Sequence, residues 1–442
     1  MIKKITFIAM NMLLGVLFQV QAQVQNQTLE LSLEDAMRIA LENNHQIQVS
    51  KLQNLANQKD VHVGKTGLLP TIDAVAGGNY SNSKTDVTFA GSIPPLDGAD
   101  ATTKGYNAGL QVSYMLFDGL GTFNSYKKLK AAGEISGIQS KISIEGTILQ
   151  LIANYFEVVR NQDLLEVYNE SLKISKERLS KVENNFKYGA AAKIEVLNAQ
   201  VDYNNDYSNQ LNQQQNLASS KRQLNYFLAR DLNTEFEVEK EFEVGELANK
   251  DSLKALVISN NSSLVLSQLN VNSAEIDKKL ALSQFAPKIS MNASYGLNYS
   301  ENSASIMLKS SSLGFTGALS LSWNLFKGMS HKKELEKSKL LIEASEGKKK
   351  EAELALEREF LDLYERLQVN IELLNLEKKN IQTAEVNLKR SKELYFNGTL
   401  NNVQFRQAQI NLLIAQSKLN NLKFQAKLQE YQVLRLSDRL IN

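Results

Sequence analysis

Phe186-Lys187-Tyr188-Gly189, followed by Val196-Leu197-Asn198-Ala199-Gln200, has a second copy downstream: Tyr395-Phe396-Asn397-Gly398, followed by Phe405-Arg406-Gln407-Ala408-Gln409. The shift is 209 residues, since 398 − 189 and 409 − 200 agree. At that shift Leu165 meets Leu374, Leu172 meets Ile381, and Leu179 meets Leu388. A single catalytic centre seldom needs two long copies of one scaffold, whereas a wall built around an axis does.

Upstream of each glycine an apolar residue recurs every seventh position. The first series is Leu151, Val158, Leu165, Leu172, Leu179, Phe186; the second is Phe360, Leu367, Leu374, Ile381, Leu388, Tyr395. A strict heptad predicts under-wound helices packed side by side. The Lys and Glu residues that fill most other positions read as solvated faces. One helix is expected over about 120–188 and another over about 329–397, each roughly 100 Å long at 1.5 Å per residue. Gly189 and Gly398 end them, glycine being the usual residue at a helix terminus, and shorter helices return over about 191–231 and 401–437. The length missing from each return matches a further helical segment, 33–66 or 252–285. Two short helices stacked end to end would then equal one long one.

The chain has four prolines, Pro70, Pro94, Pro95 and Pro287, and none falls in the long helical runs, where proline would remove a hydrogen bond and clash. After Pro70 and Pro287 the apolar period changes from helical to alternating. Ile72, Ala74, Ala76 and Tyr80 share one face over 71–80; Tyr106, Ala108, Leu110, Val112, Tyr114 and Leu116 share one over 106–116. Ile289, Met291, Ala293, Tyr295, Leu297 and Tyr299 do so over 288–300, and Leu313, Phe315, Leu319, Leu321, Trp323 and Leu325 over 313–325. The opposite faces carry Gly, Ser, Asn and Thr almost without charge. Aromatic residues near strand ends on one face and a wet, uncharged other face are the signature of transmembrane β-strands. Four half-buried strands on a soluble core are the competing reading. Four strands cannot close a barrel with a lumen, because even small closed barrels use about eight; several chains must pool theirs. The polar stretches 81–105 and 301–312 are expected to be exposed loops.

Lys3 and Lys4 precede an apolar run, Ile5 to Phe18, and then Val20-Gln21-Ala22. This reads as a signal peptide over 1–22. Its removal takes two of the 50 basic residues and none of the 48 acidic ones, leaving a formally neutral chain with no basic surplus for nucleic acid. The absence of cysteine excludes a disulfide framework and a lipidated cysteine. The repeats divide the rest into 23–235 and 252–442, joined by a linker over 236–251.

These features together resemble the TolC-like outer-membrane efflux family. The resemblance rests on Leu68-Leu69-Pro70 and Ala286-Pro287, on the strand-to-helix joints Leu116-Phe117-Asp118-Gly119 and Leu325-Phe326-Lys327-Gly328, and on the tips Tyr188-Gly189 and Asn397-Gly398. It spans essentially the whole chain beyond residue 22. It implies a mainly α protein with a transmembrane β portion: a homotrimer whose 12-stranded outer-membrane β-barrel continues into a 12-helix periplasmic α-barrel. The implied function is an exit duct that works without chemistry or cofactor. Its partners would be outer-membrane lipid, a periplasmic adaptor and an inner-membrane pump of the RND, ABC or MFS class.

By position in the family pattern, Tyr395 matches a tyrosine that helps hold the tunnel closed; it also fits as the last core residue of the heptad. Glu195 matches an acidic position that bonds to a neighbouring helix, with a lone surface glutamate as the alternative. Leu400 stands where the pattern has arginine, and Gln404 and Gln407 stand where it has acidic rings, so a less cation-selective aperture is expected. Gly189, Ala190, Ala191, Gly398, Thr399 and Leu400 are the adaptor-docking candidates, or simply make the turns. Two rival functions have different signatures. An enzyme is disfavoured because His45, His62 and His331 lie far apart and no phosphate loop or metal-ligand spacing is present. A structural envelope-spanning coiled coil would account for the helices but not for the strands.

Overall fold

The computed structural model describes residues 30–88, 90–92, 94–240, 242–245, 249–305 and 307–440. The expected signal peptide lies outside them. In chain order the elements are β1 (Glu30–Leu31), α1 (Leu33–Asn43), α2 (His45–Lys59), β2 (Thr71–Val87), β3 (Leu96–Phe117), α3 (Gly121–Lys187) and α4 (Lys193–Phe227). Then follow β4 (Glu237–Val238), α5 (Lys250–Asn260), α6 (Ser262–Ser283), β5 (Lys288–Asn302), β6 (Lys309–Ser322), α7 (Ser330–Phe396) and α8 (Asn402–Leu436). The two long helices are 67 residues each and the two returns 35 each. No described helix is long and apolar enough to cross a membrane.

The chain forms two compact units, and α3 and α7 contribute to both. One unit gathers residues up to 48 with 145–248 and 362–435; the other gathers 49–144, 249–361 and 436 onward.

The second unit holds the antiparallel sheet, in the order β2-β3-β5-β6. Its register puts the apolar series on one face: Ile72 faces Val112, which faces Ala293, and Leu110 faces Tyr295, which faces Phe315. Tyr106 and Tyr299 stack with centroids 4.5 Å apart. The other face aligns Asn107 with Asn298 and Gln111 with Ser294. Across that face runs a row of glycines, Gly109, Gly296 and Gly314. A Cβ on Gly109 would meet the Tyr295 carbonyl oxygen at 2.7 Å and the Gly296 Cα at 2.8 Å, so β3 and β5 approach closely only because both residues are glycine.

The stretch 81–105 is not the expected loop. β2 runs on to Val87 and β3 begins at Leu96, with Ser81 opposite Thr103 and Lys84 opposite Asp100. This extension is polar, so no hydrophobic alternation marks it, but continuing the ladder pairs its backbone groups strand to strand instead of with water.

Both strand-to-helix joints turn through two successive left-handed residues: Gly119 (φ 70°) with Leu120 (φ 67°), and Gly328 (φ 55°) with Met329 (φ 66°). Asp118 then caps α3, its Oδ2 accepting from the Thr122 N–H at 2.7 Å.

The helical runs expected over 33–66 and 252–285 are each split by an asparagine. Asn44 and Asn261 have nearly the same extended backbone (φ −60°, ψ 123° and φ −58°, ψ 122°). Asn44 Oδ1 accepts from the Ile47 N–H at 3.1 Å, and Asn261 Oδ1 accepts from the Ser263 N–H at 2.9 Å. The other end of each amide reaches the last residue of a return helix. Asn44 Nδ2 donates to the Phe227 carbonyl at 2.7 Å, and Asn261 Nδ2 donates to the Leu436 carbonyl at 3.1 Å.

In the first unit β1 pairs in parallel with β4, inside the stretch expected to be a linker. The Tyr155 hydroxyl donates to the Leu31 carbonyl at 2.8 Å and fastens this pair to α3. The heptad seam of α7 has the expected register: Phe360, Leu367, Leu374, Leu388 and Tyr395 are all buried. In α3 it holds through Leu151 and Val158. Beyond them burial shifts to Leu164, Ser171 and Arg178, one position before the expected Leu165, Leu172 and Leu179, which are half-buried, with Ile174, Ser175 and Val182 buried beside them and the expected Phe186 exposed. The seam keeps its seven-residue spacing but mixes Ser171, Ser175 and Arg178 with Ile174 and Val182, so apolar periodicity picked out the neighbouring stripe.

Candidate functional site

The functional candidates gather where the two helix hairpins turn, all within the first unit. Each tip is closed by the same pair of backbone bonds. At the first tip the Gly189 N–H donates to Phe186 O at 3.0 Å and the Ala190 N–H to Asn185 O at 2.7 Å. At the second the Gly398 N–H donates to Tyr395 O at 3.1 Å and the Thr399 N–H to Leu394 O at 3.0 Å. Gly189 (φ 74°) and Gly398 (φ 78°) are left-handed, and these crossed bonds satisfy the last carbonyls of the long helices. Asn401 Oδ1 caps α8 by accepting from the Gln404 N–H at 2.9 Å, whereas Ala192 at the head of α4 offers no side-chain cap.

The tip residues Gly189, Ala190, Gly398 and Thr399 are exposed, and Ala191 and Leu400 pack partly against the core beneath. That core joins both hairpins: Ile174, Val182, Val196, Ala199, Leu388, Tyr395, Phe405 and Ala408. Tyr395 is one of its members, with its ring stacked on Phe405 at 4.9 Å and 14°. Within one chain Tyr395 is therefore a core residue. Glu195, Gln404 and Gln407 are exposed, and Gln407 donates to Asn411 Oδ1 at 2.8 Å.

Behind Tyr395 lies a buried polar clasp that apolar pattern reading missed. Asp206, with a side chain 2% exposed, accepts from both terminal guanidinium nitrogens of Arg406, at 2.6 and 2.8 Å. It also accepts from the Ser175 hydroxyl. Arg178, fully buried, donates to Asp202 Oδ2 at 2.6 Å. Gln409 Nε2 closes the group from α8, donating to the Ser171 carbonyl at 2.8 Å and to Ser175 Oγ at 2.9 Å. Two aspartates from α4, one arginine from α3 and one from α8 thus cancel in charge and hold the two hairpins together.

Electrostatics follow from this burial. Desolvation pulls the Arg178 guanidinium below its usual range, against the pull of Asp202. Burial also pulls on Arg406, but its bond to Asp206 and the charges of Asp206 and Asp202 outweigh that and leave it raised. Burial pushes the Tyr395 phenol up, and Arg178 offsets part of the rise. The signal that could have found the clasp is Asp202 and Asp206, one turn apart, at i and i+4 on an otherwise amide-rich helix with Arg406 in the facing return.

A sheet with one apolar, aromatic-bearing face and one uncharged polar face, on a chain with long paired helix hairpins, defines a class: a channel protein of a β-spanned membrane. The family profile described as outer membrane efflux protein matches residues 36–230 and 254–437. The chain belongs to this family, which makes it an outer-membrane protein of the efflux-channel type. Among solved structures, a membrane protein from Pseudomonas aeruginosa superposes with TM-score 0.79 at 16% identity, covering 93% of this chain and 91% of that one. The Campylobacter jejuni CmeC outer membrane channel superposes with TM-score 0.78 at 16% identity, covering 92% and 86%. A 54-residue stretch is 39% identical to the proteases secretion protein PrtF of Dickeya chrysanthemi; the match spans 12% of each protein.

Proposed function

We propose that three copies of this chain form the exit duct of a tripartite efflux or type I secretion system. The observation that carries the proposal is the four-stranded sheet. Its two faces suit lipid and lumen, and among the described residues β2 and β6 each pair on one side only. Unpaired edges in a bilayer are costly, and joining them β6 to β2 in three copies makes a closed 12-stranded barrel. The matched element lengths and the equivalent asparagine clips support an internal duplication, with repeats over 23–235 and 252–442. They also support a 12-helix tunnel in which each repeat supplies one continuous stave and one composite stave clipped at Asn44 or Asn261. The tips Gly189–Ala191 and Gly398–Leu400 would meet a periplasmic adaptor driven by an inner-membrane pump of the RND, ABC or MFS class. Outer-membrane lipid would surround the barrel.

Glu195, Tyr395, Gln404 and Gln407 are the proposed aperture. Tyr395 would act from inside the hairpin core, and the exposed Gln404 and Gln407 would give neutral amide rings. Such rings lack the field that concentrates cations.

Outer-membrane fractions should contain an SDS-resistant trimer that carbonate washing does not release; release as a monomer would favour a structural coiled coil instead. Single-channel recording should show weak cation selectivity that rises in Gln404→Asp/Gln407→Asp. Strong, divalent-blocked cation selectivity in the unaltered protein would overturn the neutral-ring reading. Deleting the gene and profiling drug sensitivity with the secreted proteome would identify the cargo class.

A further inference from the structure

A groove of about 690 Å³ runs beside the second tip, between the last turns of α3 and the end of α7. Its α3 wall is a single helical stripe: Lys173, Lys176, Glu177, Ser180, Lys181 and Asn184, at the three- and four-residue spacing that aligns side chains on one face. Phe396 lines the other side and is 42% exposed. Lys181 Nζ is tied down, donating to the Phe396 carbonyl at 2.6 Å with its charge 4.5 Å from the Phe396 ring centroid. The one acid in the stripe, Glu177, is already engaged by Lys392 at 2.6 Å. Lys173 and Lys176 are exposed and have no ion-pair partner among the described residues.

Four lysines against one glutamate leave a local surplus of three positive charges, while the whole chain carries 50 basic against 48 acidic residues. From Lys173 to Asn185 the stripe rises about 18 Å, the length of roughly three turns of helix. We infer that this groove is a docking surface for an acidic α-helix. Its occupant would carry carboxylates at i, i+3 and i+7, the one-face spacing nearest the three- and eight-residue offsets of Lys176 and Lys181 from Lys173, and a small apolar side chain against Phe396. The inference rests on the proposal that the tips meet an adaptor, and adds the chemistry that selects which adaptor helix fits. A rim of unpaired charge chiefly sets specificity and association rate, so a basic helix would be rejected.

The test uses the full-length protein in nanodiscs and two probes: a helical hairpin with glutamates at i, i+3 and i+7 on one face, and its twin with lysines at the same positions. At low salt the acidic probe is expected to bind at least tenfold tighter, with the advantage falling as salt rises. Lys173→Glu/Lys176→Glu, two exposed changes, should invert the ranking without loss of the SDS-resistant trimer. Equal binding of the twins, no binding of either at millimolar concentration, or an unchanged ranking in the reversed variant would overturn the inference. In cells, Ala190→Trp separates the two layers. If it abolishes export while Lys173→Glu/Lys176→Glu leaves export intact, tip docking stands and acid selection fails. If neither variant impairs export, the tip-docking proposal fails with it.

Discussion

Replacing Asp206 with alanine should loosen the hairpin ends far more than any change at the exposed aperture positions. Asp206 is 2% exposed and holds Arg406, itself 15% exposed, through two bonds of 2.6 and 2.8 Å. Removing one partner of a buried ion pair costs about 3–5 kcal/mol, because the other charge stays behind without compensation. Arg406 keeps Asp202 Oδ1 at 3.8 Å, which places the expected cost near the lower end, at about 3 kcal/mol. A long-helix membrane oligomer does not unfold in one step, so global melting is the wrong readout. Native-state hydrogen exchange reads local opening directly. At 1.36 kcal/mol per tenfold, protection around Ser171–Arg178 and Phe405–Gln409 should fall roughly 100- to 200-fold. Asp206→Ala/Arg406→Met, which removes both charges, should recover most of that loss. A change below about threefold in the single variant, or a double variant no better protected than the single, would refute the claim that the clasp binds the hairpins together.

Asn44→Ala and Asn261→Ala should each weaken the end of one return helix by about 1–2 kcal/mol, the usual loss for a removed cap and a buried amide bond. Faster exchange should then appear in the first turn of α2 and the last turn of α4 in the first variant, and in the first turn of α6 and the last turn of α8 in the second. Gly109→Val should disrupt β3–β5 pairing and deplete the SDS-resistant oligomer, because its Cβ meets backbone at 2.7 Å. Glu377 is held below the usual carboxylate range, first by the bond from Lys418 and then by Asn380. A depressed carboxylate stabilises above its unfolded pKa and loses that contribution as pH falls through the folded value. Protection around Glu377 and Lys418, corrected for intrinsic exchange, should therefore drop on acidification below the ordinary glutamate range, and Glu377→Gln should flatten the drop. An identical acid profile in both proteins would rule this out.

Much of the architecture is legible in the sequence because it is written in local signals. Pro70 and Pro287 cannot continue a helix, Gly189 and Gly398 supply left-handed ends, and alternation over 106–116 and 288–300 gives strands with two different faces. The burial of Tyr395 follows from the α7 heptad in the same way. Less was visible where polar residues do the packing. The seam of α3 passes through Ser171 and Arg178 rather than Leu172 and Leu179, and Lys84 pairs with Asp100 inside a ladder rather than lying in a loop. Neither carries an apolar period. The split at Asn44 and Asn261 also needed the fold, since each amide is satisfied by a carbonyl 183 or 175 residues away.

The sequence by itself determined the order of elements, the breaks at proline and tip glycine, and the face of each strand, because these depend on backbone preference and on neighbours within a few residues. Only the tertiary structure decided that Arg406 answers Asp206 across 200 residues, and that Tyr395 rests on Phe405 inside one chain. Long-range polar pairing is set by which groups lose water together, and that is fixed only when the hairpins are packed.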